Sequence, residues 1–98
     1  MADYMLLMHN DTTGEEAGAL AWDAYVEGLV ASGHLQGGSA IGPGICIRKG
    51  GRAAKLSTGL TGFIRVQADD LSEARLLVAG NPVYEAGGTV EIRELPPD

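Results

Sequence analysis

The sequence predicts an α+β fold: two β-α-β units forming one sheet, with both helices on one side of it. Three observations carry this reading. Two stretches with apolar residues at helical spacing each stand between runs of strand length. Each helix-like stretch opens on a capping signature, Thr13-x-x-Glu16 and Asp70-x-x-Glu73. Glycine or proline punctuates the junctions. The order β-α-β-β-α-β is the ferredoxin-like split arrangement, and 98 residues make one such domain, 1–98.

Tyr4–Met8 reads YMLLM, apolar on both sides, which suits a strand at the centre of a sheet. A helix is expected near Glu15–Ser32, where Trp22, Tyr25, Val26, Leu29 and Val30 share one side. Gly33 ends it, because glycine enters the left-handed cap at little cost. His34–Gly44, HLQGGSAIGPG, reads as a turn and irregular lead-in with room for a short edge strand. Ile45 and Ile47 alternate with Cys46 and Arg48, which predicts the second main strand there. Lys49-Gly50-Gly51-Arg52 is a hairpin signal, and Ala53–Gly59 is either a short returning strand or a loop.

The third main strand is expected over Thr61–Gln67, with Ile64 and Val66 on one side and Phe63, Arg65 and Gln67 on the other. Ala74, Leu77 and Val78 form the buried stripe of the second helix, which Asn81-Pro82 stops. After Gly87-Gly88, Thr89–Leu95 is the last strand: Val90 and Ile92 alternate with Glu91 and Arg93, and Pro96-Pro97 ends the pairing.

Composition narrows the function classes. Hydrophobic residues are 45% and charged ones 20% of the chain, which is the globular range. Thirteen acidic against seven basic residues give a net charge of -6. That charge repels phosphate backbones and anionic lipids, so neither nucleic acid nor membrane is an expected partner. One cysteine excludes an internal disulfide and fits a reducing compartment. Cys46 reads as a small buried strand residue rather than a nucleophile. MADYMLLMHN lacks the basic region of a signal, and its apolar run is too short to span a bilayer, so a cytoplasmic location is expected.

The first strand also predicts a homodimer. Its two sides are both apolar, and two helices on one side of the sheet cover only one of them. The uncovered side carries either Tyr4, Leu6 and Met8 or Met5 and Leu7, with Phe63 and Cys46 from neighbouring strands. An apolar patch of that kind marks an interaction surface. A second copy packing sheet to sheet would cover it, burying about 1,200–2,000 Å². Arg65, Glu91 and Arg93 flank the stripe in the ferredoxin-like order, either as a polar rim or as the charged walls of a mixed cavity.

DYMLLM, Trp22 with Tyr25, ASGHLQGG, TGFIRVQADDLSEA and GGTVEIREL, in this order and spacing, resemble the YCII-related family, in particular its DGPF branch. The resemblance covers nearly the whole chain and implies a ferredoxin-like dimeric α/β barrel. It also implies chemistry on ring compounds, a dehydrochlorination among them, through a histidine on the first helix and a nearby aspartate. Aligned on Gly33, Trp22 stands where that histidine falls. The branch's Asp-Gly-Pro-Phe segment is replaced here by Ala53–Gly59, and Gly42-Pro43-Gly44 lacks the aspartate that follows a similar turn in other members. Neither the family acid nor the family base carries over.

The remaining candidates come from the residues themselves. His9, at the end of the first strand, reads as a general base at a cleft or as a solvated loop residue. His34 reads as a proton shuttle or as a cap on the helix carbonyls. Asp23 and Glu27 share one helix face and read as solvated surface. Two histidines with no Cys/His spacing give no metal site, and the glycines form neither a phosphate loop nor a dinucleotide fingerprint, so no cofactor is expected. Trp22 and Tyr25 suit either a flat ligand or the core.

Two functions are therefore expected as alternatives. One is a small dimeric protein binding an anionic or aromatic molecule in a cleft between the sheet and the first helix. Trp22 and Tyr25 would form its flat wall, Arg65 and Arg93 with Glu91 its charged groups, and His9 or His34 a polar contact. The other is an isomerase or lyase acting on a cyclic organic acid, with His9 or His34 moving the proton.

Overall fold

The computed structural model describes residues 1–15 and 18–97. Its elements are β1 (Ala2–His9), α1 (Ala19–Ala31), β2 (Leu35–Ala40), β3 (Leu60–Ala68), α2 (Leu71–Leu76), α3 (Pro82–Glu85) and β4 (Val90–Leu95). The strands form one antiparallel sheet in the order β2-β3-β1-β4, the ferredoxin-like arrangement. The apolar first strand lies between β3 and β4, pairing with both along most of its length.

Pleating then sorts the side chains. Tyr4, Leu6 and Met8 of β1 join Ile64, Val66 and Ala68 of β3 under the helices. Tyr25 and Leu29 of α1, Ala74 and Val78 from the second helical segment, and Val83 of α3 close this core. Val30, expected on the buried side of α1, is exposed. Met5 and Leu7 turn to the side without helices, half-buried among Phe63, Arg65, Glu91 and Arg93. That settles which side of the first strand is uncovered.

Local signals act as their chemistry dictates, with three corrections. Gly33 (φ 79°) closes α1 in a Schellman motif, in which the His34 amide donates to the Leu29 carbonyl and the Gly33 amide to Val30. Asp70 caps α2 by accepting from the Glu73 amide at 2.8 Å, and the Glu73 carboxylate accepts from the Asp69 amide at 2.9 Å. The helix expected from Glu15 begins instead at Ala19, with Gly18 at its cap; Glu16 of the first capping signature lies outside the described residues.

The second correction concerns Asn81-Pro82. It opens a helix, α3, instead of ending one, since α2 already stops at Leu76. The Asn81 side chain accepts from the Val83 and Tyr84 amides, and Pro82 supplies a backbone already set for the first turn. The third concerns β2. It is formed by Leu35–Ala40, the short edge strand the glycine-rich stretch had room for, and Ile45–Arg48 is not a strand. Alternation at 45–48 is real, but among the described residues no neighbouring strand lies alongside, and Ile45 and Ile47 are 84% and 85% exposed. Cys46 is exposed with them and is not a core residue.

Candidate functional site

A cleft of about 600 Å³ lies between α1 and the β2–β3 edge of the sheet. Trp22 and Val26 of α1 form one wall; Met8, Leu35 and Ile64 of the sheet form the other. Gly37, Gly38 and Gly62 leave the floor without side chains. These glycines explain how so polar-looking a stretch becomes a strand. At Gly38 a Cβ would stand 2.6 Å from the Phe63 carbonyl oxygen and 3.1 Å from the Ile64 Cα, so only glycine lets β2 approach β3 this closely. The register shifts between Leu35 and Gly37, a bulge of the kind that re-aims an edge strand.

The cleft is neutral. None of the side chains that line it is ionisable, and its polar side chains are Ser39 and Thr61. The Ser39 hydroxyl already donates to the Ala40 carbonyl and that of Thr61 to Met8. Taking an unpaired carboxylate into such a place costs several kcal/mol, on the order of 2–7 even for a neutral polar group left without a partner. A flat apolar ring meets no such penalty, and the volume falls in the range of small-molecule sites, about 300–1,000 Å³.

A second constellation occupies the opposite side of the sheet. A bulge between Met8 and His9 shifts the β1–β3 register just before its last pair, His9 with Leu60. His9 Nε2 stands 3.0 Å from Glu91 Oε1 on β4, and Arg93 Nη1 donates to Glu91 Oε2 at 3.2 Å. All three are partly exposed. The loop after β1 is tied to the start of β4. Asp11 accepts from the Thr89 amide at 2.8 Å and from its hydroxyl at 2.6 Å, and these bonds hold the Asp11 carboxyl below its ordinary pKa. Along the same face Met5 stands between Arg65 and Arg93, and Leu7 between Phe63 and Glu91.

The anticipated site residues thus fall into separate groups. Trp22 lines the cleft. Its neighbour Tyr25, 6.2 Å away ring to ring in an edge-on arrangement, is core: its hydroxyl donates to the Leu77 carbonyl at 2.7 Å, tying α1 to the end of α2. His9, Glu91, Arg93 and Arg65 share the other face. His34 lies beside the far end of β3 from His9; its Nδ1–H donates to the Gln67 carbonyl at 2.7 Å, and the Gln67 amide donates back to the His34 carbonyl. Since a carbonyl only accepts, Nδ1 carries a proton. The two histidines do not meet in one cavity.

Leu35, Gly37, Gly38 and Ile64 were not anticipated as site residues. The paired glycines in HLQGGSA were the available signal, since glycine within a strand marks a bulge or a close approach. Among the described residues no three His, Cys, Asp or Glu side chains gather as a metal site, and no helix is long and apolar enough to cross a membrane.

No family model and no curated protein matches the sequence. Among solved structures the chain is similar to 5-chloro-2-hydroxyhydroquinone dehydrochlorinase from Burkholderia phenoliruptrix AC1100, in complex with 2,5-dihydroxybenzoquinone. The identity is 20%, the TM-score 0.50, and the match covers 95% of this chain and 93% of that one. The likeness is one of fold and extends from end to end.

Proposed function

We propose that this chain is a small-molecule-binding protein of the YCII-related kind. It takes a neutral, flat ring into the cleft between α1 and the β2–β3 edge, and it works as a homodimer in the cytoplasm. The observation that carries the ligand reading is the chemistry of the cleft: Trp22 with Met8, Val26, Leu35 and Ile64 around a glycine floor, and no charge. It favours the aromatic over the anionic ligand. The structural neighbour was solved with a flat dihydroxyquinone, which fits the same class. The sequence likeness to the DGPF branch, without its motif, supports the family, and a lone exposed thiol at Cys46 suits a reducing compartment.

The dimer is supported by the side of the sheet that the helices leave open. Met5, Leu7 and Phe63 form an apolar stripe there, flanked by both signs of charge, Arg65 and Arg93 with Asp3 and Glu91. A face carrying both signs complements itself across a two-fold axis. Sedimentation should show a dimer at micromolar concentration; a monomer refutes it.

Trp22 is the single tryptophan of the chain, so its fluorescence reports on the cleft directly. Titration with neutral hydroquinones and phenols should quench or shift it saturably, and benzoate at the same pH should not. No saturable change with any ring compound up to millimolar concentration sinks the ligand reading.

A second reading keeps its own observation. His9 held by Glu91, with Arg93 alongside, has the parts of an oriented general base beside an anion receptor, as an isomerase or lyase on a cyclic acid needs. It requires the second copy to enclose that face. Turnover of a cyclic acid that survives His9→Ala unchanged eliminates it.

A further inference from the structure

Residues 41–59 carry neither strand nor helix, yet they are built like a β-hairpin. The β2–β3 ladder pairs Gly38 with Ile64, Ser39 with Phe63 and Ala40 with Gly62, and the Ile41 amide continues it by donating to the Thr61 carbonyl at 3.0 Å. Carried outward at that register, the two arms meet around Gly50-Gly51. Both of those glycines have positive φ, 74° and 72°, the conformation of a tight two-residue hairpin turn. The two glycines have the conformation of a tip, while the sides of the hairpin are not paired.

Extended at the same register, the arm would bring Ile41, Ile45 and Ile47 to the side of Phe63, which is the open side of the sheet. An arm so extended would continue the apolar stripe of Met5, Leu7 and Phe63. Ile45 and Ile47 are almost fully exposed. The radius of gyration, 14.9 Å, exceeds the roughly 13 Å of a compact domain of this length.

Charge separates the arm from the rest. Arg48, Lys49, Arg52 and Lys55 are four of the seven basic residues, and none of the thirteen acidic residues falls between 41 and 59. The arm carries +4 and the remainder -10. A basic arm with an isoleucine row matches an acidic body with an apolar stripe, and a second copy of this chain presents both.

We propose that residues 41–59 are a docking arm. In the dimer, each copy lays Ile45 and Ile47 across the open sheet face of the other, while the basic tip meets the partner's acidic surface. This rests on the homodimer proposed above and adds a part that sheet-to-sheet packing does not need. A nucleic acid would match the basic tip but not the isoleucine row, and the acidic body repels it.

The experiment compares dimer dissociation constants by sedimentation for wild type, the arm variant Ile45→Asp/Ile47→Asp and the face variant Leu7→Lys, with far-UV circular dichroism confirming the fold. Both variants should weaken the dimer by about tenfold or more. In wild type, a benzophenone on Cys46, the single thiol, should link light to heavy copies in an isotope-mixed sample. An arm variant with the wild-type constant, alongside a disrupted face variant, overturns the arm and leaves the sheet dimer standing. A monomeric wild type overturns both. Cross-links confined within one copy, or an arm variant that loses only single-stranded DNA binding, also overturn the arm.

Discussion

His9 Nε2 lies 3.0 Å from Glu91 Oε1, one strand across on the face the helices leave open, while Trp22 lines a cleft on the side the helices cover. The sheet itself separates the two. Groups that share no partner act additively, so Glu91→Gln should leave the affinity for a neutral phenol unchanged within about twofold. Fluorescence titration of Trp22 in the variant checks this. A change well beyond that range would mean that the two faces are coupled.

The closeness of β2 to β3 makes a sharp stability test. Gly38→Ala places a methyl 2.6 Å from the Phe63 carbonyl, where backbone must give way, and should cost about 1–3 kcal/mol. Gly28→Ala is the contrasting change. Gly28 lies within α1, is exposed, and has open space around a built Cβ, so alanine there should stabilise by about 0.5–1 kcal/mol. Urea midpoints for the two variants should move in opposite directions, and Gly38→Ala should also weaken ring binding because the cleft floor shifts.

Asp11 and Thr89 link the end of β1 to the start of β4. The Asp11 carboxyl is held below its ordinary value of 3.8, first by the Thr89 hydroxyl and then by the Thr89 amide. A depressed carboxyl contributes stability above the unfolded pKa and loses it as pH falls through the folded one. Asp11→Ala should therefore lower Tm at pH 7, and the gap to wild type should close as pH drops below 3.8. A gap that stays constant down to pH 2 would show that the carboxylate charge has no part in it.

Much of this architecture could be read from residue order. YMLLM announced a central strand, and alternation at Ile64 and Val66 and at Val90 and Ile92 assigned the core side of β3 and β4. The second strand was misplaced for one reason: a strand is a property of two neighbours. Ile45–Arg48 has the right alternation and no partner, whereas Leu35–Ala40 has poor strand chemistry and a partner so close that glycine is required. The site was legible in part. Trp22 fell on the apolar side of the first helix, but placing Arg65 and Arg93 away from it needed the orientation of β1, which a strand apolar on both sides does not declare.

Tyr25 supplies the last test. Its ring belongs to the core, and its hydroxyl donates to the Leu77 carbonyl at 2.7 Å. Tyr25→Phe keeps the ring and leaves that carbonyl to find water, at a cost of about 1 kcal/mol. Burial raises the phenol above its ordinary value of 10.0, with the nearby Asn81 side chain opposing. For a raised acid the folded state keeps its proton when the unfolded state has lost it. The contribution is therefore full below pH 10.0 and falls as pH rises through the folded value. Tyr4 is raised as well, by burial and then by the carboxylates of Glu94 and Asp70, so it acts in the same direction. Wild type should lose stability as pH rises above 10, and Tyr25→Phe should lose less over the same interval without becoming pH-independent. Urea unfolding at pH 8 and pH 11 makes the comparison, and equal slopes for the two proteins would show that Tyr25 ionises as freely folded as unfolded.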